Sequence, residues 1–180
     1  MSNAAPKRFS TSLSLPLRVA DLPNHAGIDF QIIPDAEARK ALAEQLDLLR
    51  LRKLTFTGRL RPEGRHDWRL DGDLGATAVQ TCVITQDPVT TRVDTPVTRL
   101  FLRKIEEIEA SESEMPDDDS IEPLPAELDL GVVMAEALSI ALPDYPRAEG
   151  ATIPQEFSDP GPDERPNPFA ALAALKRDDS

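Results

Sequence analysis

Hydrophobic and polar positions along this chain change period several times, and each change marks an element. From Phe9 to about Ala20, Leu and Val mix with Ser and Thr, the pattern of a first strand. Gly27-Ile-Asp-Phe-Gln-Ile-Ile33 predicts a second strand. Pro34-Asp35 then marks a helix start, with Asp35 as N-cap and Glu37 in the first turn. From Ala36 to Leu51 strong helix formers run without Gly or Pro, and Leu42, Leu46 and Leu49 repeat at i, i+4, i+7 to give one apolar stripe. Arg39, Lys40, Glu44 and Asp47 cover mostly the opposite side.

The following fifty or so residues change to period two. Phe56, Gly58 and Leu60 alternate with Thr57, Arg59 and Arg61, a half-buried strand, and Pro62-Glu-Gly64 is a turn. Trp68 to about Ile84 reads as one long strand, interrupted or bulged at Gly72 and Gly75. Gln86-Asp87-Pro88 is the next turn, after which Val89, Val93, Val97 and Phe101 share one face of a further strand. Residues 105–123 hold nine carboxylates and read as a solvated or disordered insertion. Leu128-Asp129-Leu130 opens a second helix with Asp129 as N-cap; Val132, Val133, Ala137, Ile140 and Ala141 give its apolar face, and Pro143 stops it.

These elements predict an α+β domain over residues 1–145. It is a curved antiparallel meander, able to close in a barrel-like way, packed by two main helices and carrying the acidic insertion. Residues 146–180 predict a proline-rich extended tail ending in a short helix, about Phe169 to Lys176. Ten of the 17 prolines lie from Pro116 onward, which supports that division. Aromatics are 4% of the chain, so the core must be built from Leu, Val, Ile and Ala. No apolar run reaches the roughly 18 residues of a membrane span, so no membrane partner is expected and the cytoplasm is the default location. A single cysteine, Cys82, excludes an internal disulfide and a multi-cysteine zinc site.

The net charge of −12 is unevenly spread. Residues 1–104 carry 16 Lys/Arg against 12 Asp/Glu, whereas residues 105–180 carry 4 against 20. Catalytic chemistry is sparse. His66 and Asp67 are adjacent, and on a strand adjacent residues point to opposite faces; His25 sits in a turn. Asp117-Asp-Asp119 lacks the spacing of a calcium loop, and no phosphate-binding G-x-x-x-x-G-K-S/T or G-x-G-x-x-G occurs. No cofactor, no metal and no enzymatic activity are expected. The informative cluster is basic: Arg50, Arg52, Lys53, Arg59, Arg61, Arg65 and Arg69 fall within twenty residues, with Phe56, His66 and Trp68 among them. Converging guanidiniums would attract a phosphate backbone, and an exposed aromatic would stack unpaired bases. The alternative is an ordinary solvated face on which Trp68 is core and the arginines pair with local carboxylates.

Three stretches carry a family resemblance. Leu70 to Val89, with Cys82 and the Asp87-Pro88 turn, resembles the central strand and turn of the YceD family, where a Cys-x-x-Cys-Leu-x-Pro core is common. Leu128-Asp129-Leu130 through Leu142-Pro143 resembles its acidic-Leu helix, and Asn167-Pro168-Phe169 through Lys176 its closing helix. Thr85 stands where the second cysteine is common, and the 143–150 stretch lacks the later cysteines of some members. The resemblance implies a bacterial factor affecting synthesis, processing or stability of large-subunit ribosomal RNA. Its expected partner is that RNA or a pre-ribosomal particle. The alternative is an acidic adaptor or chaperone that holds a basic ribosomal protein through Glu106 to Glu122 and the tail.

Overall fold

A computed structural model of the chain describes residues 7–23, 25–103 and 121–152. Two compact units divide the chain, Met1–Ala148 and Glu149–Ser180. The first contains β1 (Lys7–Ser10), β2 (Pro16–Arg18), a 3-10 turn (Val19–Asp21), β3 (Ile28–Ile32), α1 (Ala36–Gln45), β4 (Arg50–Glu63), β5 (Asp67–Thr81), β6 (Pro88–Leu102), β7 (Ile121–Pro123), β8 (Glu127–Asp129) and α2 (Leu130–Ala141). Of the second unit, residues 149–152 are described, a turn in which Gly150 has φ +76°.

Six strands form one sheet in the order β1-β3-β4-β5-β6-β7, and β2 pairs with β8 in a two-stranded ribbon. The expected meander is its centre, β3 to β6, all antiparallel. The flanking strands β1 and β7 run parallel to their neighbours, so the sheet is mixed. It is also open. β1 and β7 end it at opposite edges and do not pair with each other, so among the described residues the barrel-like closure expected from the meander does not form.

One face of the sheet carries the core. Ile28, Phe30 and Ile32 of β3, Leu54, Phe56 and Leu60 of β4, Trp68, Leu70, Leu74 and Ala76 of β5, and Val93, Val97 and Phe101 of β6 are all buried there. α1 adds Leu42 and Ala43, and α2 adds Leu130, Val133, Met134, Ala137 and Leu138. Gly58 and Gly72 face each other across β4 and β5 on this same side. The Phe30 and Phe56 rings, 5.0 Å apart and tilted by 59°, fill the space the two missing side chains leave.

Several expected elements differ in detail. The first strand splits, because Ser10, Ser12 and Ser14 bond one another's hydroxyls and backbone and turn the chain between β1 and β2. The first helix stops at Gln45 rather than Leu51. Leu46 and Leu48 donate their N–H groups back to Leu42 and Ala43, and Asp47 takes the left-handed φ of 53°, a conformation Asp tolerates better than most residues. Leu49 therefore lies outside the helical stripe and is 58% exposed. β5 runs unbroken through Gly72 and Gly75; the bulge is in β4 instead, between Leu51 and Lys53. Ile121-Glu122-Pro123, expected within the acidic insertion, form β7. Arg99, on the core face and 17% exposed, holds that strand through an ion pair with Glu122, Nε to Oε1 2.9 Å, without an aligned hydrogen bond. The other eight carboxylates of the insertion, the closing helix and most of the tail lie outside the described residues.

Asp129 is the N-cap it was expected to be, and it does more. Its Oδ1 accepts from the N–H of Gly131 at 2.8 Å and of Leu15 at 2.7 Å, while the Ser14 hydroxyl donates to Oδ2 at 2.6 Å. One carboxylate thus starts α2 and clamps the segment leading into β2 onto it.

Candidate nucleic-acid interface

The basic cluster, contiguous in sequence, is divided among three places. Arg59, Arg61 and Arg69 share the outward face of β4 and β5, where Arg61 and Arg69 are register partners. Each has a carboxylate: Arg59 lies 3.7 Å from Asp29, and Arg61 and Arg69 both lie 3.1 Å from Asp71. These pairs are exposed enough that each stabilises the fold by about 0–1 kcal/mol, yet their two carboxylates offset two of the three positive charges. Farther along the sheet Arg92 bonds Asp94 in the same way and holds that carboxyl below the usual carboxylate range. Trp68 is buried on the opposite, core side and offers no exposed stacking face. Arg65 stands alone in the β4–β5 turn, roughly 40 Å from Arg50 along the strand at the usual rise per residue.

Arg50, Arg52 and Lys53 are the third group, and the bulge arranges them. Strict alternation would send Arg52 and Lys53 to opposite faces. The register shift between Leu51 and Lys53 lets Leu51 and Leu54 both enter the core while Arg52 and Lys53 both reach solvent. Two residues of α1 join them. Because α1 ends at Gln45 and the chain reverses through Asp47, Arg39 and Lys40 line one cleft with Arg50 and Arg52. The cleft measures about 590 Å³, and Glu44 is the one carboxylate among its lining residues. Arg39 Nη1 donates to the Pro34 carbonyl at 2.6 Å, and its Nε has no acceptor among the described residues. Leu48, Leu49 and Leu51 are the cleft's apolar lining residues beside Ala36 and Ala43. The helical side on which Arg39 and Lys40 lie was legible in the sequence; that β4 returns beside it was not.

Cys82 occupies the β5–β6 turn with Asp87 and Pro88. The Cys82 N–H donates to the Asp87 carbonyl at 2.8 Å, and Gln86 closes the turn with φ 64°. The buried sulfur accepts from the N–H groups of Ile84 and Thr85, both at 3.4 Å, and of Ala148 at 3.3 Å. The Thr85 hydroxyl and then these amides lower the thiol's pKa to about 6, against burial, which raises it. Thr85 therefore bonds Cys82, and residues 143–148 return to the turn through Gln80 Nε2 to the Pro143 carbonyl and Val83 N–H to the Pro146 carbonyl. A thiol with its folded pKa depressed contributes stability that is fully present above the unfolded pKa and is lost as pH falls through about 6. Compared with Cys82→Ser, the wild-type chain is expected to show a urea-midpoint advantage that grows between pH 6 and pH 9. An advantage independent of pH would contradict the hydrogen-bonded thiolate.

Among the described residues no polar or charged side chain is buried, and no three His, Cys, Asp or Glu side chains converge as metal ligands would. His66 and Asp67 do not orient each other: His66 Nδ1 lies 3.4 Å from Arg103 Nη1, and Asp67 Oδ1 accepts from the Arg103 N–H at 2.9 Å. No helix among the described residues is long and apolar enough to cross a membrane.

Among the described residues, the fold and its surface define an α+β protein with an open mixed sheet, a charge-paired outer face and a basic cleft between α1 and β4. A family model described as "Large ribosomal RNA subunit accumulation protein YceD" matches residues 70–176, and the chain belongs to this family. No curated protein and no solved structure matches the chain. The matched segment takes in the Cys82 turn, Asp129 with α2, and Asn167, Pro168 and Phe169, of which the last three lie outside the described residues. It begins at Leu70, after the basic cleft.

Proposed function

We propose that this chain supports the accumulation of large-subunit ribosomal RNA by associating with that RNA, free or in a pre-ribosomal particle. It does so without catalysing a reaction, in the cytoplasm where such particles assemble. One observation carries the reading: Arg39, Lys40, Arg50 and Arg52 converge on a single cleft with one opposing carboxylate, and Lys53 extends the patch. Guanidinium and ammonium groups without carboxylate partners gain most from phosphates, because each contact releases a condensed counterion. Arg59, Arg61 and Arg69 add less, since a phosphate there must compete with Asp29 and Asp71. Binding of a large-subunit ribosomal RNA transcript, followed by fluorescence anisotropy, should weaken steeply as salt is raised. No binding at about 50 mM salt, where such contacts are strong, would end the proposal.

The charge distribution favours a second reading, an acidic adaptor that holds a basic ribosomal protein, because 20 of the 32 carboxylates lie from residue 105 onward. Deleting residues 106–119 separates the two while sparing Glu122 and its pair with Arg99. The adaptor loses its protein partner; direct RNA association holds or strengthens as repulsion falls.

A further inference from the structure

A second cleft, of about 570 Å³, lies at the far end of the long strands from the basic one. Its walls come from four places in the chain: the β4–β5 turn, the residue after β6, the link between β7 and β8, and the 3-10 turn. Backbone hydrogen bonds fix two of them, Val19 N–H to the Ala126 carbonyl at 3.1 Å and Leu124 N–H to the Leu102 carbonyl at 2.8 Å. Arg65 and Arg103 are its cations, and neither has an ion-pair partner among the described residues. The one carboxylate lining it, Asp67, accepts from the Arg103 backbone N–H through Oδ1 at 2.9 Å. Arg103 Nη1 also lies 3.4 Å from His66 Nδ1, which places the imidazole beside the Arg103 guanidinium. The same cavity is lined by the apolar side chains of Pro62, Leu124, Pro125 and the nearly buried Trp68.

We propose that this cleft binds a nucleoside phosphate, free or as an unpaired nucleotide of an RNA chain. The phosphate sits between Arg65 and Arg103, and the base lies against the apolar lining. Two guanidinium forks suit a phosphate's tetrahedral oxygens, and they repel a cation. The cavity far exceeds an inorganic phosphate, and its apolar lining has no role toward a bare anion, whereas a base gains by removing its apolar surface from water there. The site is separate from the α1–β4 cleft and does not depend on the function proposed for it.

Trp68 is the chain's only tryptophan, so its fluorescence reports this cavity. Adenosine 5′-monophosphate, inorganic phosphate and a short single-stranded oligoribonucleotide would each be titrated into the full chain. Saturable quenching by the nucleotide or the oligonucleotide is expected, at least about tenfold tighter than by phosphate, one such factor being about 1.4 kcal/mol. The double variant Arg65→Gln/Arg103→Gln should weaken it at least tenfold with an unchanged urea midpoint. Tighter binding of the oligonucleotide identifies RNA as the source; equal affinities identify the free nucleotide. Arg50→Glu/Arg52→Glu should leave the Trp68 response intact, so failure at one cleft is distinguishable from failure at the other. A silent Trp68 at millimolar ligand, phosphate equal to nucleotide, or a response undiminished in the double variant overturns the proposal.

Discussion

Arg50→Glu combined with Arg52→Glu is expected to weaken association with large-subunit ribosomal RNA about 100-fold at 0.15 M salt. Each phosphate contact removed takes about 0.7–0.9 from the slope of log K against log salt, and the introduced carboxylates add repulsion in a cleft that already holds Glu44. The comparison that gives this number meaning is Arg59→Glu with Arg61→Glu, which changes the net charge equally. Screening over about 8 Å at that salt leaves mainly local contacts, and Arg59 and Arg61 already face Asp29 and Asp71. That second variant should lose only about three- to fivefold, with a salt slope reduced by less than that of the cleft variant. Equal losses in the two variants would mean that the overall field, not the cleft, binds RNA.

Gly131→Ala is expected to destabilise the fold by about 3 kcal/mol or more, read as a fall in the urea midpoint with an unchanged m value. Helix propensity alone argues the opposite sign, since Ala replaces Gly in a helix with a gain of up to about 1 kcal/mol. Packing decides. A Cβ on Gly131 would lie 1.8 Å from the Leu13 carbonyl oxygen, which is backbone and cannot rotate aside. Nor can the segment retreat cheaply. The Leu15 N–H is bonded to Asp129, and the Leu15 carbonyl accepts from the Leu130 N–H at 3.2 Å. Separating the two elements forfeits these bonds, each worth about 1 kcal/mol or more. Gly58→Ala tests the same physics in the sheet. Its Cβ would meet the Asp71 carbonyl oxygen at 2.4 Å and Phe30 Cζ at 2.9 Å, so a substitution that suits a strand by propensity should also destabilise. A midpoint raised by either change would show that the close approach relaxes without cost.

Local chemistry made several parts of this molecule legible in advance. Asp35 and Asp129 cap their helices because a short carboxylate can reach the free N–H groups of the next turn whatever surrounds it. Val93, Val97 and Phe101 share a face because strand period is two. The Cys82 to Pro88 turn could be placed because proline and Asp punctuate a chain locally. The basic cluster was legible as a set of residues but not as a site. Trp68 and Arg69 look equally available in sequence, yet one is core and the other is paired with Asp71. Arg39 and Lys40 belong with Arg50 only because Asp47 reverses the chain.

What the sequence by itself determined, then, was the α+β class, the antiparallel centre, both helix starts and the uneven charge, since each depends on neighbours within a few residues. The tertiary structure alone decided the parallel edge strands, the open sheet, the bulge that turns Arg52 and Lys53 outward, and which arginines keep a carboxylate. Those features depend on register between strands, and register is set by how side chains far apart in the chain share one buried face.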